Sequence, residues 1–221
     1  MVKLVYQELE SSLNPILDEK SKQRFMIAYR SLSYQDDYCR YHYKQFHKEY
    51  NLYVSTFNNE MELTDNINLH IARISFEANI FAFFRSLHAL IESVPYLINI
   101  LLEIEEIECN RLNWWTVRVG CENKGYVECA ETIKSFRKST SYKELEHIVN
   151  ISKHRRIPRI DSGCLMNSES PVPLLMKEDL DIDFRSYDIK LIMENIFDDL
   201  HPKILKIIQL LIVSRKTGKR S

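Results

Sequence analysis

"IARISFEANIFAFFRSLHALIES", residues 71–93, holds neither glycine nor proline, and its apolar residues recur every three or four places. Positions three and four apart share one face of an α-helix, so this spacing is helical. The pattern reaches back to Ile67, with Thr64 or Asp65 as the candidate N-cap. It resumes beyond Pro95, where a kink or an end is expected, and continues to Leu102.

Two lines run along this helix. One steps through Ile67, Ile71, Ile74, Ala78 and Phe81, then meets Arg85, His88 and Glu92. Its neighbour, Ile80, Phe84, Leu87, Ile91, Val94 and Ile98, stays apolar. The first reads as a core-facing seam, which puts three ionisable groups in series on a packing surface. Burial of such groups is costly unless they are paired. His88 and Glu92 are four apart, so the carboxylate can orient the imidazole and raise its pKa. Two readings stand: a satisfied polar layer that sets helix register, or a cleft where Arg85 and His88 meet a ligand.

The rest of the chain is read the same way. Ser21 to Met61 lacks Gly and Pro, and Phe25, Tyr29, Leu32, Tyr34, Tyr38 and Tyr41 recur at helical spacing. This predicts one long helix or two stacked ones. Glu103, Glu105, Glu106 and Glu108 read as a solvated helix end. "NRLNWWTVRVG" (110–120) opens a helical or irregular segment, with Trp114 and Trp115 as wedges between helices. Helices are predicted over 126–138 and 141–157, with Ser141 and Glu144 as a capping box and Pro158 as terminator. Residues 159–186 are irregular, with room for a short strand or hairpin, an exposed loop at 167–173 and an edge strand near 178–184. A last helix is predicted from Tyr187 to Arg215, kinked near Pro202.

The predicted fold is all-α: a bundle of about five helices with a short irregular or β insert near 158–185. The expected organisation is an N-terminal helical segment (1–64), the main bundle (65–215) and a disordered basic tail (216–221), together one compact domain.

Composition narrows the function. The net charge is -1, so polyanion binding must come from local clusters, not from a global field. Five cysteines with no C-x-x-C suggest free thiols in a reducing compartment. The N-terminus lacks a signal-peptide pattern, and the apolar runs are interrupted by polar residues. A cytoplasmic protein with no membrane span is expected. Glycine-rich phosphate loops and the G-x-S-x-G elbow are absent. Cys39 and His42 have no second ligand pair at zinc-like spacing, and Cys121 and Cys129 read as buried thiols, so neither metal nor cofactor is expected.

"VNISKHRRIP" (149–158) is the densest polar cluster. Leu145, Ile148, Val149 and Ile151 mark an apolar side, and Lys143, His147, Asn150 and His154 form a separate stripe. Lys153, Arg155, Arg156 and Arg159 surround the helix C-terminus. The helix dipole alone favours cations there; an anion-gripping site is the other reading. Because the polar stripe faces away from the helix's own apolar side, dimerisation is expected.

"FRSLHALIE" and "NISKHR" together resemble the HEPN superfamily of bacterial toxin, antiphage and RNA-processing proteins, and within it a group with an N-x-x-K-H-R signature. The likeness covers about 65–215. It implies a helical bundle, a homodimer with facing motifs, RNA or nucleotide as ligand, an antitoxin or other protein as partner, and metal-independent RNA cleavage. The superfamily's motif sets an Arg and a polar residue ahead of a His. Asn150 and His154 match the latter two, while Val149 stands where the Arg belongs. The resemblance therefore leaves open whether the site cleaves RNA or binds it. It implies His154 as acid–base group, Asn150 as phosphate-positioning residue, and Arg85 or Arg155 as the missing cation. His88, Arg85 and Glu92 complete the cleft, and Lys153, Arg155 and Arg156 bind phosphate. Arg40 and His47 have a permitted spacing, but Tyr41 follows Arg40, so that match reads as chance.

Overall fold

The structure is a computed structural model, and it describes residues 17–59, 67–103, 112–162, 172–180 and 182–217. The stretch free of Gly and Pro winds into one helix, α1 (Glu19–Asn59). Asp18 starts it, its Oδ1 accepting the Ser21 N–H at 2.7 Å. α2 (Ile67–Leu102) runs through Pro95 without ending there. It stops at Glu103, which takes the left-handed φ of 48°.

α3 (Trp114–Asn123) opens on a capping box: the Asn113 side chain accepts from the Trp115 and Thr116 N–H groups, and the Thr116 hydroxyl accepts from the Asn113 N–H. Gly125, with φ 79°, makes the turn into α4 (Val127–Lys138). After Ser139 comes α5 (Thr140–His154). Two short antiparallel strands follow, β1 (Ile160–Asp161) and β2 (Leu174–Leu175), with Ile160 opposite Leu175. A 3₁₀ turn spans Lys177–Asp179. α6 (Ile189–Thr217) contains Pro202. Asp188 caps it, accepting from the Lys190 N–H at 2.9 Å and the Leu191 N–H at 3.2 Å.

The fold is thus an all-α helical bundle with a short β insert, as expected, with six α-helices among the described residues. Several local expectations differ. In place of the edge strand expected near 178–184, Lys177–Asp179 form a 3₁₀ turn, and residues 180 and 182–184 are irregular. α5 ends at His154, three residues short of the predicted end, because the chain must already be extended before Pro158. Trp114 is buried against Phe136, whereas Trp115 is 65% exposed and is no wedge among the described residues. Thr64, Asp65, the loop at 167–171 and the tail from Gly218 lie outside the described residues. Cys121 and Cys129 are buried thiols with sulfurs 3.8 Å apart. Among the described residues, no helix is long and apolar enough to cross a membrane.

The chain packs as two units. The first is Met1–Gln35, Ala89–Ser139 and Leu200–Ser221; the second is Asp36–His88 and Thr140–Asp199. In the first, Phe25, Ile91, Leu97, Val117, Ile133 and Leu211 are buried. In the second, α1 and α2 pack through rings: Phe46, Tyr50 and Tyr53 all meet Phe76. α6 joins them through Phe197, which lies against Tyr43 and Phe83.

α2 overturns the reading of its two lines. Leu69, Ala72, Phe76, Ile80, Phe83 and Leu87 are the buried set. Ile67, Ile71 and Ile74 are 70%, 55% and 49% exposed. The buried line is the one that never meets a charge, so more apolar area leaves water when it faces inward. Arg85 and Glu92 are accordingly exposed and His88 half-buried, and they form no buried polar layer.

Candidate functional site at the C-terminus of α5

α5 is amphipathic in the way its sequence indicates. Leu145, Ile148, Val149 and Ile151 are buried. Lys143, Asn150, Lys153, His154 and Arg155 are exposed, and His147 is half-buried with its ring 6.1 Å from that of Phe184. Val149 is 0% exposed, so the position where the resemblance expects an Arg is core, and nothing longer fits there without disrupting it.

A cation reaches this helix from elsewhere. Arg85 of α2 donates from Nη2 to the carbonyl oxygen of Ser152 at 3.0 Å. Ser152 lies in the last turn of α5, next to Lys153 and two residues from His154. Carbonyls of a last turn have no intrahelical donor, so a guanidinium there satisfies one and offsets the negative end of the dipole. His88 sits three residues past Arg85 on α2. Glu92 falls in the first unit, where it lines an open groove of about 550 Å³ with Arg24, Ser31, Ser93 and Tyr96.

The basic cluster divides. Arg156 and Arg159 turn back to Asp179 in the 3₁₀ turn. Asp179 accepts from the Arg159 N–H at 2.8 Å and from Arg159 Nε at 2.9 Å. Arg156 Nε lies 3.7 Å from the same carboxylate, and its Nη2 donates to the Asp179 carbonyl at 3.1 Å. These two cations fasten the β insert to the end of α5. Lys153 makes no ion pair with any described residue. Arg156, expected as a phosphate ligand, pairs with Asp179 here while its side chain stays 49% exposed.

That tie has a pH signature. Hydrogen bonds from Arg159 hold the Asp179 carboxyl below the usual carboxylate range. A depressed folded pKa gives stability that is complete above the ordinary value of about 4 and is lost as pH falls through the folded value. Wild-type protein should therefore lose more stability than Asp179→Asn between about pH 5 and pH 2, read from urea unfolding at each pH. Equal losses would show that solvent screens the tie.

Two clusters escaped the sequence reading because their partners are distant in the chain. Glu144 does not close a capping box with Ser141. Its carboxylate accepts from the Arg185 backbone N–H at 3.0 Å and from Arg185 Nη2 at 2.7 Å, while the same Nη2 reaches Ser141 Oγ at 3.0 Å. His47 of α1 lies 3.7 Å from Glu194 of α6, and Lys190 Nζ lies 3.9 Å from the same oxygen. Burial lowers the His47 pKa, with Glu194 pulling it upward. Arg40 is engaged by Asp36 of its own helix at 2.8 Å, so Arg40 and His47 have separate partners. No sequence signal short of an alignment marks such pairs.

Among the described residues, no group of three or more His, Cys, Asp or Glu side chains is arranged to hold a metal ion. His42 Nδ1 is 3.0 Å from Asn79 Oδ1, and Cys39 is buried, its thiol pKa pushed up by desolvation. Comparison of the chain with protein-family models, with curated proteins and with solved structures finds no match in any of the three.

Proposed function

We propose that the C-terminal end of α5, with Arg85, binds the phosphates of RNA, and that His154 moves the proton of a 2'-hydroxyl there. The observation that carries this reading is the Arg85–Ser152 hydrogen bond. A bare helix C-terminus carries about half a negative charge and would repel phosphate. Arg85 offsets it at Ser152, in the same last turn of α5 as the exposed Lys153 and His154. Imidazole accepts or donates a proton near neutral pH. A guanidinium stabilises a charged pentacoordinate phosphate without a metal. In this reading Asn150, exposed one turn before His154, donates a hydrogen bond to a phosphate oxygen. The resemblance to HEPN proteins extends the reading to a metal-independent ribonuclease of toxin or antiphage type, with an antitoxin as a protein partner.

A second reading has its own support. Burial of Val149 removes the motif's Arg from α5, which favours a site that binds RNA without cutting it. Purified full-length protein incubated with total RNA in EDTA separates the two. Cleavage that persists in EDTA and falls at least about 100-fold in His154→Ala supports the enzyme. Intact RNA with salt-sensitive binding supports the binding module. In either case Lys153→Ala with Arg155→Ala should weaken binding and flatten its salt dependence by about two ion equivalents, measured by fluorescence anisotropy. RNA neither bound nor cut would end both readings.

A further inference from the structure

The contact between α1 and α6 gathers a histidine, an acid and a lysine beside a ring cluster. His47 Nε2 lies 3.7 Å from Glu194 Oε1, and Lys190 Nζ lies 3.9 Å from the same oxygen. The imidazole is half-buried and stands at a steep angle to two rings of its own helix, Tyr43 at 4.7 Å and Phe46 at 5.5 Å between centroids. Tyr43 in turn lies 4.8 Å from Phe197, one turn past Glu194 on α6, and 5.7 Å from Phe83 of α2. Lys190 is held 5.9 Å over the ring of the buried Tyr50. Glu194 therefore sits between one permanent cation, Lys190, and one optional cation, His47.

We propose that His47 makes the packing of α6 on α1 pH-sensitive: neutral, it seats among the rings, and protonated, it loosens the contact. The rings and α6 take water from the imidazole, which disfavours its charged form. Glu194 favours the charged form, but its carboxylate is already shared with Lys190, whose ammonium repels a second cation. Burial is the largest of these effects, so the His47 pKa lies below its usual value. The phenols facing the site, Tyr43 and Tyr50, are pushed upward by burial and by Glu194, with Asp198 acting on Tyr43 and Asp188 on Tyr50, and they stay neutral. With a lowered pKa, the packed state binds fewer protons than the loosened one. The stabilisation is complete above the ordinary histidine value of about 6.5 and is lost as pH falls through the folded value. This window lies above that of the Asp179 tie, and the device does not depend on RNA binding.

Histidine NMR titration of the full chain tests it. The His47 ring signal, identified by its loss in His47→Gln, should titrate with a midpoint below about 6.5. Lys190→Met should move that midpoint up and Glu194→Gln should move it down, while the ring signals of Tyr43 and Phe197 shift with the His47 midpoint. In urea unfolding between about pH 7.5 and pH 5, the folding equilibrium constant of the wild type should fall at least about threefold more than that of His47→Gln. If His47→Gln does not fold, the ring is assigned through its own backbone couplings, and the midpoints of the wild type, Lys190→Met and Glu194→Gln decide alone. A midpoint at or above the ordinary value, a midpoint that neither α6 variant moves, or equal losses for wild type and His47→Gln would overturn the proposal.

Discussion

Replacing Glu144 with alanine is expected to lower the unfolding free energy by about 2–3 kcal/mol. Glu144 is 4% exposed and accepts from the backbone and the guanidinium of Arg185. Removing it leaves the Arg185 N–H and two guanidinium donors facing a site that water enters poorly. Breaking a fully buried pair costs about 3–5 kcal/mol. Arg185 is 45% exposed, so solvent takes up part of that loss, and the lower range follows. Glu144→Gln keeps an acceptor for the Arg185 N–H and should cost less than Glu144→Ala. Urea unfolding at neutral pH measures both. A loss below about 0.5 kcal/mol for the alanine variant would show that the irregular segment before α6 is held by other contacts.

Phe76→Ala should be the most destabilising of the substitutions considered, at about 3–5 kcal/mol. Its ring is 0% exposed and lies 5.2 Å from Tyr53, 5.9 Å from Tyr50 and 6.1 Å from Phe46, centroid to centroid. Truncation leaves a cavity walled by large rings that cannot collapse without leaving their rotamers. Ile71→Ala, five residues away at a side chain 55% exposed, should change stability by no more than about 0.5 kcal/mol in the same urea measurement. Similar costs for the two would restore the Ile67–Phe81 line to the core. The contrast matters because the two lines look alike in sequence and differ in what they face.

α2 also shows how far the sequence could be read. Its helical period, like those of α1, α4 and α5, is written in local spacing, and the structure keeps each of these helices. The amphipathic division of α5 was legible as well, because one of its sides is plainly polar. On α2 both lines are apolar over the first half, so periodicity fixes the helix and not its rotation. Spacing alone therefore sets Arg85, His88 and Glu92 in line with a seam that the fold leaves exposed. The same misassignment hid what Arg85 does, since its partner, the Ser152 carbonyl, is a backbone atom 67 residues away.

The basic cluster at 153–159 gives a second case. The residues are adjacent and chemically alike, yet Arg156 and Arg159 are fastened to Asp179 while Lys153 is left to solvent. Charge density in a sequence says that cations are gathered. Which of them are spent on the fold depends on where an acid twenty residues on is carried by a 3₁₀ turn.

By itself the sequence determined the all-α class, the extent of most helices, the apolar side of α5 and the departure at Val149. These follow from propensity, period and side-chain type, which act within a few residues. Tertiary structure decided which face of α2 is core, which arginines are tied to Asp179, and that Glu144 answers to Arg185. Each of those depends on a partner far along the chain, and local spacing carries no record of it.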